Sequence, residues 1–338
     1  MAEEINETEL FSALSNGMAD AVDRIAPSLV LVDGRRRHPA SGVVFAPDLV
    51  LTADHVLERE EDISVTTYDG RTLPATFVGR DSSSDLAVLR VAELKLTPAA
   101  KAQTARVGQF LLAVGRPSKE GPMASFGIVS AIGGSLRTRR GGMLKEYIRT
   151  DAIPYPGFSG GPLIDAQGGV LAIMTSGLAR GVAIGIPASL AWEIGETLAK
   201  DGQIKRGYLG ITSQPVNLPD AQRAGRAQTS GLLIMHVEPA SPAEKGGLLL
   251  GDILVSLDGQ AISDTGDLQA LLAGGRVGNE VPVEVIRGGV LQTLPVTIGE
   301  KNVTPQEASH EQHAHKRHAG WGGFWRRRGR AGGRRNGD

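Results

Sequence analysis

The sequence predicts an all-β domain of antiparallel strands, a barrel or a sandwich, followed by a smaller unit of mixed strands and helices. A chain of 338 residues is longer than one ordinary core needs, which indicates two domains. From about residue 28 to 187, apolar runs of four to seven residues alternate with turn residues, and no helical pattern separates them. Beyond residue 206, strand-like runs flank a helical pattern at 264–274.

The elements follow in order along the chain. Apolar residues at helical spacing over 5–25 stop at Pro27, which predicts an N-terminal helical arm over 1–24. The strand-rich domain is expected over 25–200. It contains an Asp69-Gly70 hairpin turn and closes with a helix at 188–200. The second domain is expected over 204–300, and residues 301–338, which are His-rich and then Arg-rich, are expected to be disordered.

Composition and charge bear on whether the chain binds nucleic acid or a membrane surface. Apolar residues make up 41% and charged residues 22% of the chain, and the formal net charge is −1, so the chain as a whole gives no argument for nucleic acid. Residues 310–338 are the exception, with eight Lys or Arg against two acids and with Trp321, Phe324 and Trp325 among them. This tail suits nucleic acid or an anionic membrane surface, with solvated disorder as the alternative.

Cysteine is absent, which excludes disulfides and thiolate zinc sites. No cofactor or metal is predicted; a metal on the tail histidines is the disfavoured alternative.

The first ten residues, MAEEINETEL, are acidic and have no apolar core, and no apolar run approaches the ~18 residues of a membrane span. The sequence therefore predicts a cytoplasmic location.

One serine stands in an unusually sharp bend. In YPGFSGGPL, residues 155–163, three glycines and two prolines surround Ser159. Glycine permits backbone angles that other residues resist, so the bend would hold the hydroxyl outward. The N–H groups of Gly157, Phe158 and Ser159 could then converge on one point, as an oxyanion requires. A plain glycine-rich turn is the alternative reading.

A nucleophilic serine needs a base and a group that orients the base. The strand-rich region contains two histidines: His38, in a basic loop and expected to be solvated, and His55, after the apolar strand LVLTAD. Asp85 opens the apolar strand DLAVLRV, whose burial would hold its carboxylate in place. The residues alone leave other acids open, namely Asp48, Asp54, Asp62, Asp69 and Asp81. The nucleophile elbow of α/β-hydrolases is disfavoured, because a proline and a strand follow the serine.

Three motifs, LTADHVL, GRDSSSDLAVLRV and RTDAIPYPGFSGGPLID, resemble in order and spacing the triad motifs of the HtrA/Deg family of trypsin-like serine proteases. The resemblance implies an all-β protease domain, a chymotrypsin-like double β-barrel, and then an α+β PDZ domain. It implies that His55 is the general base, Asp85 its orienting acid and Ser159 the nucleophile. Gly157 and Ser159 would supply oxyanion-hole amides with Phe158 between them, and unfolded or damaged proteins would be the substrates.

The chain departs from the family pattern near the triad. Asp54 stands where a small residue is usual and could add an acid near the imidazole, and Phe158 replaces an asparagine. Pro154 and Tyr155 change the activation loop. By resemblance the specificity pocket is lined by Ile173, Met174, Thr175 and Ile184. No acid lies in this stretch, so small or medium apolar side chains are the expected preference.

The second domain would bind peptide C-termini, as PDZ domains do by adding the peptide as a strand. YLGI resembles the carboxylate-binding loop, and a helix would form the other groove wall. The predicted groove residues are Tyr208, Leu209, Gly210, Ile211, Leu268 and Leu272. The family also implies a homotrimer assembled through the arm. A catalytically weak scaffold or chaperone of the same fold is the alternative function.

Overall fold

The computed structural model describes residues 7–36, 38–138, 143–178, 183–272 and 275–300. The predictions made for the His-rich and Arg-rich tail, at 301–338, lie outside the described residues. Within the described ranges, no helix is both long enough and apolar enough to cross a membrane.

An N-terminal helix leads into the first of two barrels. Helix α1 spans Glu7–Ile25, as its apolar spacing predicts, and a short 3-10 turn, Ala26–Ser28, follows it. The barrel strands are β1 (Leu29–Asp33), β2 (Ala40–Ala46), β3 (Leu49–Ala53), β4 (Ile63–Thr66), β5 (Thr72–Asp81) and β6 (Leu86–Arg90). They close in the order β1-β2-β3-β6-β5-β4. The predicted hairpin joins β4 to β5, and Gly70 takes a φ of 85° at its tip.

The second barrel also has six strands. The next elements in the chain are β7 (Phe110–Ser118), β8 (Gly121–Gly133), β9 (Leu136–Arg137), β10 (Met143–Leu144), β11 (Tyr147–Thr150), β12 (Pro162–Ile164), β13 (Val170–Thr175) and β14 (Ala183–Pro187). The barrel closes as β11-β14-β13-β12-β7-β8, while β9 and β10 pair with each other. Helix α2, Ala188–Asp201, follows β14 and packs its Trp192 edge-on against Phe45 of the first barrel.

The mixed unit follows α2. Its elements are β15 (Gly207–Tyr208), β16 (Ile211–Asn217), β17 (Ser230–Val237), α3 (Pro242–Lys245), β18 (Ile253–Leu257), β19 (Gln260–Ala261), α4 (Thr265–Leu272), β20 (Glu280–Arg287), β21 (Val290–Thr297) and β22 (Gly299–Glu300), with a 3-10 turn at Asp220–Gln222. The sheet order is β16-β17-β18-β20-β21, with β19 on β18 and β15 on β22. Strand β16 therefore lies at one edge of the sheet.

Each barrel has its own core, and a third cluster fills the interface between them. Val50 and Leu89 are among the fully buried side chains inside the first barrel, and Leu163 and Phe158 among those inside the second. The mixed unit has a separate apolar core. An ion pair between Asp81 of β5 and Arg206 ties the segment before β15 to the first barrel. The two barrels and the mixed unit confirm the predicted fold class.

Candidate active site

Strand pairing brings His55 and Asp85 to the same end of the first barrel. Strands β3 and β6 are antiparallel, with Ala53 opposite Leu86, so the residues after β3 meet those before β6. The N–H of Asp54 extends this pairing by donating to the carbonyl of Asp85 at 2.9 Å. Asp85 takes a φ of 57°, a left-handed conformation that Asp tolerates better than most residues do.

The carboxylate of Asp85 holds His55 at two points, the imidazole ring and the backbone N–H. Its Oδ2 lies 2.6 Å from His55 Nδ1, and its Oδ1 accepts the backbone N–H of His55 at 3.0 Å. The hydroxyl of Thr175 donates to the same Oδ2, and Thr175 in turn accepts the N–H of Gly177 at 2.9 Å. Asp85 is fully buried, whereas one fifth of the His55 side chain is exposed. This pairing favours the tautomer that carries its proton on Nδ1 and leaves Nε2 free to accept one.

Ser159 stands at the tip of two consecutive tight turns. The N–H of Phe158 donates to the carbonyl of Tyr155 at 3.0 Å, and the N–H of Gly161 donates to that of Phe158 at 2.8 Å. The third residue of each turn is a glycine with positive φ, 89° at Gly157 and 85° at Gly160, as type II turns require. Ser159 is therefore presented at the surface by backbone geometry that the glycines permit.

Close packing also requires Gly160. A Cβ at this position would lie 2.2 Å from the carbonyl oxygen of Ser41 and 2.5 Å from the hydroxyl of Thr52. The second turn thus lies directly against strands β2 and β3 of the first barrel. The nucleophile-bearing loop of one barrel contacts the strand that leads to His55 in the other because this residue has no side chain.

The hydroxyl of Ser159 contacts a second serine. Ser159 Oγ lies 3.1 Å from Ser176 Oγ, which lies 3.4 Å from His55 Nε2. In the described part of the chain, Ser176 therefore connects the predicted nucleophile to the predicted base. Among the described residues, the Ser159 hydroxyl is hydrogen-bonded to Ser176 and not to His55. Direct proton transfer needs about 2.6–3.2 Å between the hydroxyl oxygen and Nε2, so we expect the Ser159 side chain to turn toward the ring before it reacts.

The backbone amides around Ser159 differ in availability. The N–H of Phe158 is bound to the carbonyl of Tyr155 and is therefore not available to an oxyanion in this structure. The hydrogen bonds among the described residues leave the N–H groups of Gly157 and Ser159 unused. The Phe158 side chain is fully buried in the second barrel, 5.4 Å from the ring of Tyr155 and beside Gly115, which leaves room for it.

The carboxylate of Asp54 is neutralised beside the site. It accepts from Arg80 Nη1 at 3.0 Å and from the hydroxyl of Ser82 at 2.8 Å, and Asp54 is almost fully buried. Arg80 also pairs with Glu60 and lies over the ring of Phe77. The acid that the sequence places next to His55 therefore belongs to a charge network on the flank of the first barrel.

The residues predicted to line the specificity pocket are buried in this structure, and their role in specificity stays a prediction. Ile173, Met174, Thr175 and Ile184 are 0–4% exposed and do not line the cavity at Ser159. Both faces of β13 are covered, because Ile173 packs toward α2 and Met174 packs inside the barrel with Phe158. The cavity has a volume of about 360 Å³ and is lined by Arg35, His38, His55, Pro154, Tyr155, Pro156, Gly157, Ser159 and Ser176.

The predicted peptide groove lies between edge strand β16 and helix α4, which are in contact. Gly210, with a φ of 79°, turns the chain into β16, and its carbonyl accepts the N–H of Glu238 at 2.8 Å. Leu209 and Leu268 are buried in the core, whereas Ile211 and Leu272 are half-buried at its margin. Tyr208 pairs through its hydroxyl with Glu238. The groove role of these residues stays a prediction.

Sequence reasoning missed several residues at the site. Ser176 and Arg35 line the cavity, and Ser41 contacts the nucleophile loop, yet none of them lies in a triad motif. Thr175 was assigned to a pocket and instead supports Asp85. Their positions in the sequence could have indicated two of these residues. Ser176 follows the strand after the nucleophile, and Arg35 opens the basic loop that contains His38.

Two family models match the chain. A trypsin-like peptidase domain matches residues 40–173, and a PDZ domain matches residues 207–298. A "probable periplasmic serine endoprotease DegP-like" from Halomonas elongata is 34% identical over 273 residues, which cover 78% of this chain and 57% of that protein. A protein of the same name from Pseudomonas savastanoi is 37% identical over 268 residues, 77% of this chain and 55% of that protein. The chain thus spans little more than half the length of these relatives.

Solved structures agree with these matches. The serine endoprotease from Yersinia pestis aligns with a TM-score of 0.70 at 30% identity, covering 84% of this chain and 98% of that one. The HtrA-type protease AlgW with a tripeptide aligns with a TM-score of 0.71 at 31% identity, covering 85% and 98%. Fold and site together define a trypsin-like serine protease domain followed by a PDZ domain. The chain belongs to the HtrA/Deg family of serine proteases.

The comparisons also correct the predicted location. The curated relatives from Halomonas elongata and Pseudomonas savastanoi are named as periplasmic proteins, which contradicts the cytoplasmic location expected from the sequence. That expectation depended on the absence of an apolar leader in the first residues, and such an absence does not establish a location.

Proposed function

We propose that this chain is a serine endopeptidase that hydrolyses unfolded or damaged proteins through His55, Asp85 and Ser159. The observation that carries the proposal is the position of the His55 ring. Its Nδ1 lies 2.6 Å from the buried carboxylate of Asp85, and its Nε2 lies 3.4 Å from the hydroxyl of Ser176, which in turn contacts the Ser159 hydroxyl. A histidine held in this way is a base for the serine hydroxyl.

The reaction would begin when Ser159 turns from Ser176 to His55. Ser159 Oγ attacks the scissile carbonyl carbon while His55 Nε2 takes the hydroxyl proton. The carbonyl oxygen becomes an oxyanion, and the free N–H groups of Gly157 and Ser159 stabilise it. Asp85 remains ionised and stabilises the imidazolium.

The intermediate then collapses and the C–N bond breaks. His55 gives its proton to the leaving amine, and the acyl group stays on Ser159 as an ester. Water enters, His55 accepts one of its protons, and the resulting hydroxyl attacks the ester carbonyl. Release of the new carboxyl terminus returns the proton to Ser159 Oγ and restores the site.

We further propose the domain limits 1–24 for the arm, 25–200 for the protease domain, 204–300 for the PDZ domain and 301–338 for the tail. The PDZ domain would take peptide C-termini at edge strand β16, whose outer edge suits an added strand. A homotrimer through the arm is supported by Leu10, Phe11 and Leu14, which are 44–68% exposed on α1. The exposed stripe suits burial by a neighbouring copy of the chain.

A serine-directed phosphonylating reagent tests the catalytic proposal. It should label Ser159 in the full chain, should label no other serine, and should require an intact His55. Ser159→Ala and His55→Ala should each lower proteolysis of a denatured protein by several orders of magnitude, about as much as the double variant. Ser130→Ala, at an exposed serine of β8, is the matched control and should be labelled and active.

Proteolysis by Ser159→Ala at the wild-type rate would overturn the proposal. Labelling of Ser159 without turnover of any denatured protein would favour the alternative function, a scaffold or chaperone with a formed but inactive site.

A further inference from the structure

The cavity at Ser159 carries an unassigned positive rim. Arg35 and His38 line it together with His55 and Ser159, and no carboxylate is among its lining residues. Both rim residues belong to the loop between β1 and β2. The catalytic proposal gives neither residue a role, and a guanidinium in a cavity lining without carboxylates favours a negatively charged group.

Gly34 and Pro39, near the two ends of this loop, pack beside the catalytic residues. The carbonyl of Gly34 accepts the N–H of Glu58 at 2.9 Å, and a Cβ on Gly34 would lie 2.5 Å from a methyl group of Leu57. At its other end, the carbonyl oxygen of Pro39 lies 3.0 Å from where a Cβ on Gly157 would stand. The loop therefore reaches from the segment that follows His55 to the turn that presents Ser159.

The guanidinium of Arg35 is oriented but not neutralised. Its Nε donates to the carbonyl of His38, and its Nη2 donates to that of Pro39 at 3.3 Å. These two bonds leave about three of its five N–H groups free. Arg35 is half-buried and has no carboxylate partner among the residues that the structure describes.

The nearby acids do not bind Arg35. Asp33 binds Arg59 at 3.0 Å, and Glu58 accepts the backbone N–H of Arg36 at 3.5 Å. The guanidinium of Arg35 therefore contributes positive charge to the cavity mouth. A half-buried guanidinium gains most from a partner that accepts two hydrogen bonds in one plane, as a carboxylate does.

The reaction geometry indicates which part of the substrate lies beside this rim. His55 must pass its proton to the leaving amine, so the part of the substrate after the cut runs beside His55. The loop bearing Arg35 packs against residues 56–58 and lies on that side. The acyl part of the substrate instead passes Ser176, at the end of β13.

We propose that Arg35, assisted by His38, forms a subsite for an acidic side chain, Asp or Glu, one or two residues after the scissile bond. The proposal rests on the proposed peptidase function and names its substrate preference. The carboxylate of the substrate would accept hydrogen bonds from the free N–H groups of Arg35. The side chains on the leaving side of the scissile bond therefore help to select where an unfolded chain is cut.

Matched peptides test the subsite. A site cut in a denatured protein is identified by mass mapping, and peptides are made with Glu or Gln at the first or second position after the cut. All are amidated and extend at least four residues beyond the cut, so that a terminal carboxylate cannot take part. The wild type should cleave the Glu peptide with a kcat/KM about 10-fold above that of the Gln peptide, as a charge-assisted hydrogen bond would give.

Variants separate Arg35 from general charge effects. Arg35→Gln should bring the Glu to Gln ratio close to one, and Arg35→Glu should invert the preference toward Lys. Arg90→Gln, the same change at an exposed position of β6 outside the cavity lining, should keep the wild-type ratio. Added salt should lower the wild-type ratio, because a partly exposed ion pair is screened.

A further arm distinguishes the source of the carboxylate. Peptides truncated directly after the second position, with a free terminus and Gln, should be cleaved no faster than their amidated forms. Faster cleavage of these free acids, without a Glu effect in the long peptides, would assign the rim to a chain terminus and overturn the proposal.

The outcomes also separate this proposal from the peptidase function. Equal cleavage of Glu and Gln peptides by the wild type would overturn the proposed subsite but not the proposed peptidase function. If no peptide is cleaved, the subsite is tested by measuring peptide affinity. The Ser159→Ala variant should bind the Glu peptide about 10-fold tighter than the Gln peptide. Equal affinities there would overturn the subsite independently of turnover.

Discussion

The hydroxyl of Ser41 donates to the carbonyl of Gly157 at 2.7 Å and joins a strand of the first barrel to the nucleophile turn of the second. Ser41 Oγ also accepts the N–H of Arg116 at 2.8 Å, and the N–H of Ser41 donates to the carbonyl of Ser159 at 3.2 Å. Burial lowers the pKa of the Arg116 guanidinium below its ordinary value. One fully buried serine thus holds the peptide group before Phe158 and the peptide group after Ser159.

Replacement of Ser41 by alanine should therefore impair catalysis more than substrate binding. Without its hydroxyl, the Gly157–Phe158 peptide loses its anchor, and the Gly157 turn can rotate out of place. We expect Ser41→Ala to lower kcat by about 10-fold or more with little change in KM, since a misplaced oxyanion donor weakens transition-state binding. Steady-state kinetics on one peptide substrate measure this.

A buried serine far from the site provides the control. Ser28 donates to the carbonyl of Thr97 at 2.7 Å and is nearly as buried as Ser41. Ser28→Ala should cost a similar stability, about 1 kcal/mol, and leave kcat unchanged. Equal kcat losses in the two variants would show that Ser41 acts only through general stability.

Gly177 should not tolerate a side chain. A Cβ there would lie 2.3 Å from Asp85 Oδ2 and 3.0 Å from His55 Nδ1. The Asp85 carboxylate cannot move away easily, because it is hydrogen-bonded to Thr175 and His55. Gly177→Ala should lower kcat/KM by about 10²-fold, the cost of displacing catalytic groups by about an ångström.

Gly134 is the matched glycine, since a Cβ there would meet nothing within 4 Å. Gly134→Ala should retain wild-type activity and the same thermal unfolding midpoint. Wild-type kinetics in Gly177→Ala would mean that the Asp85–His55 pair does not need its observed position.

Peptide C-termini should bind the groove between β16 and α4. A peptide with a free carboxylate and an apolar last residue should bind the full chain carrying Ser159→Ala with a Kd on the order of micromolar, because ordering a short peptide offsets much of its contact energy. Amidation of the peptide should abolish binding. Isothermal titration calorimetry measures both.

Leu272, half-buried beside the groove, should contribute to this binding. Leu272→Ser should weaken the peptide at least several-fold, whereas Leu250→Ser, at a leucine 72% exposed elsewhere in the same unit, should not. Equal affinity for the amidated and the free-acid peptide would show that the YLGI loop does not bind the terminal carboxylate.

The apolar stripe on α1 should hold the oligomer together. The second half of α1 is anchored to the barrels, where Ile25 is buried and Arg24 donates to the carbonyls of Ala166 and Gln167 at 3.0 Å. The double variant Phe11→Ser, Leu14→Ser should therefore keep its fold and shift a trimer toward monomer in light scattering. Val290→Ser, at an exposed apolar residue of the second unit, should leave the mass unchanged.

By itself the sequence determined the secondary structure elements and the identity of the triad candidates. The arm, the Asp69-Gly70 hairpin, the closing helix and α4 all follow from periodicity and turn residues, which act over a few neighbours. The turns around Ser159 follow from Gly157 and Gly160 for the same reason, since positive φ is a local demand.

Only the tertiary structure decided which side chains meet. His55 and Asp85 lie 30 positions apart and come together because β3 pairs with β6 in one register. Long-range packing also buried the predicted specificity residues of β13, turned Asp54 toward Arg80 and placed Arg35 at the cavity mouth. Periodicity cannot determine such contacts, because barrel closure sets them through pairings between strands that are distant in sequence.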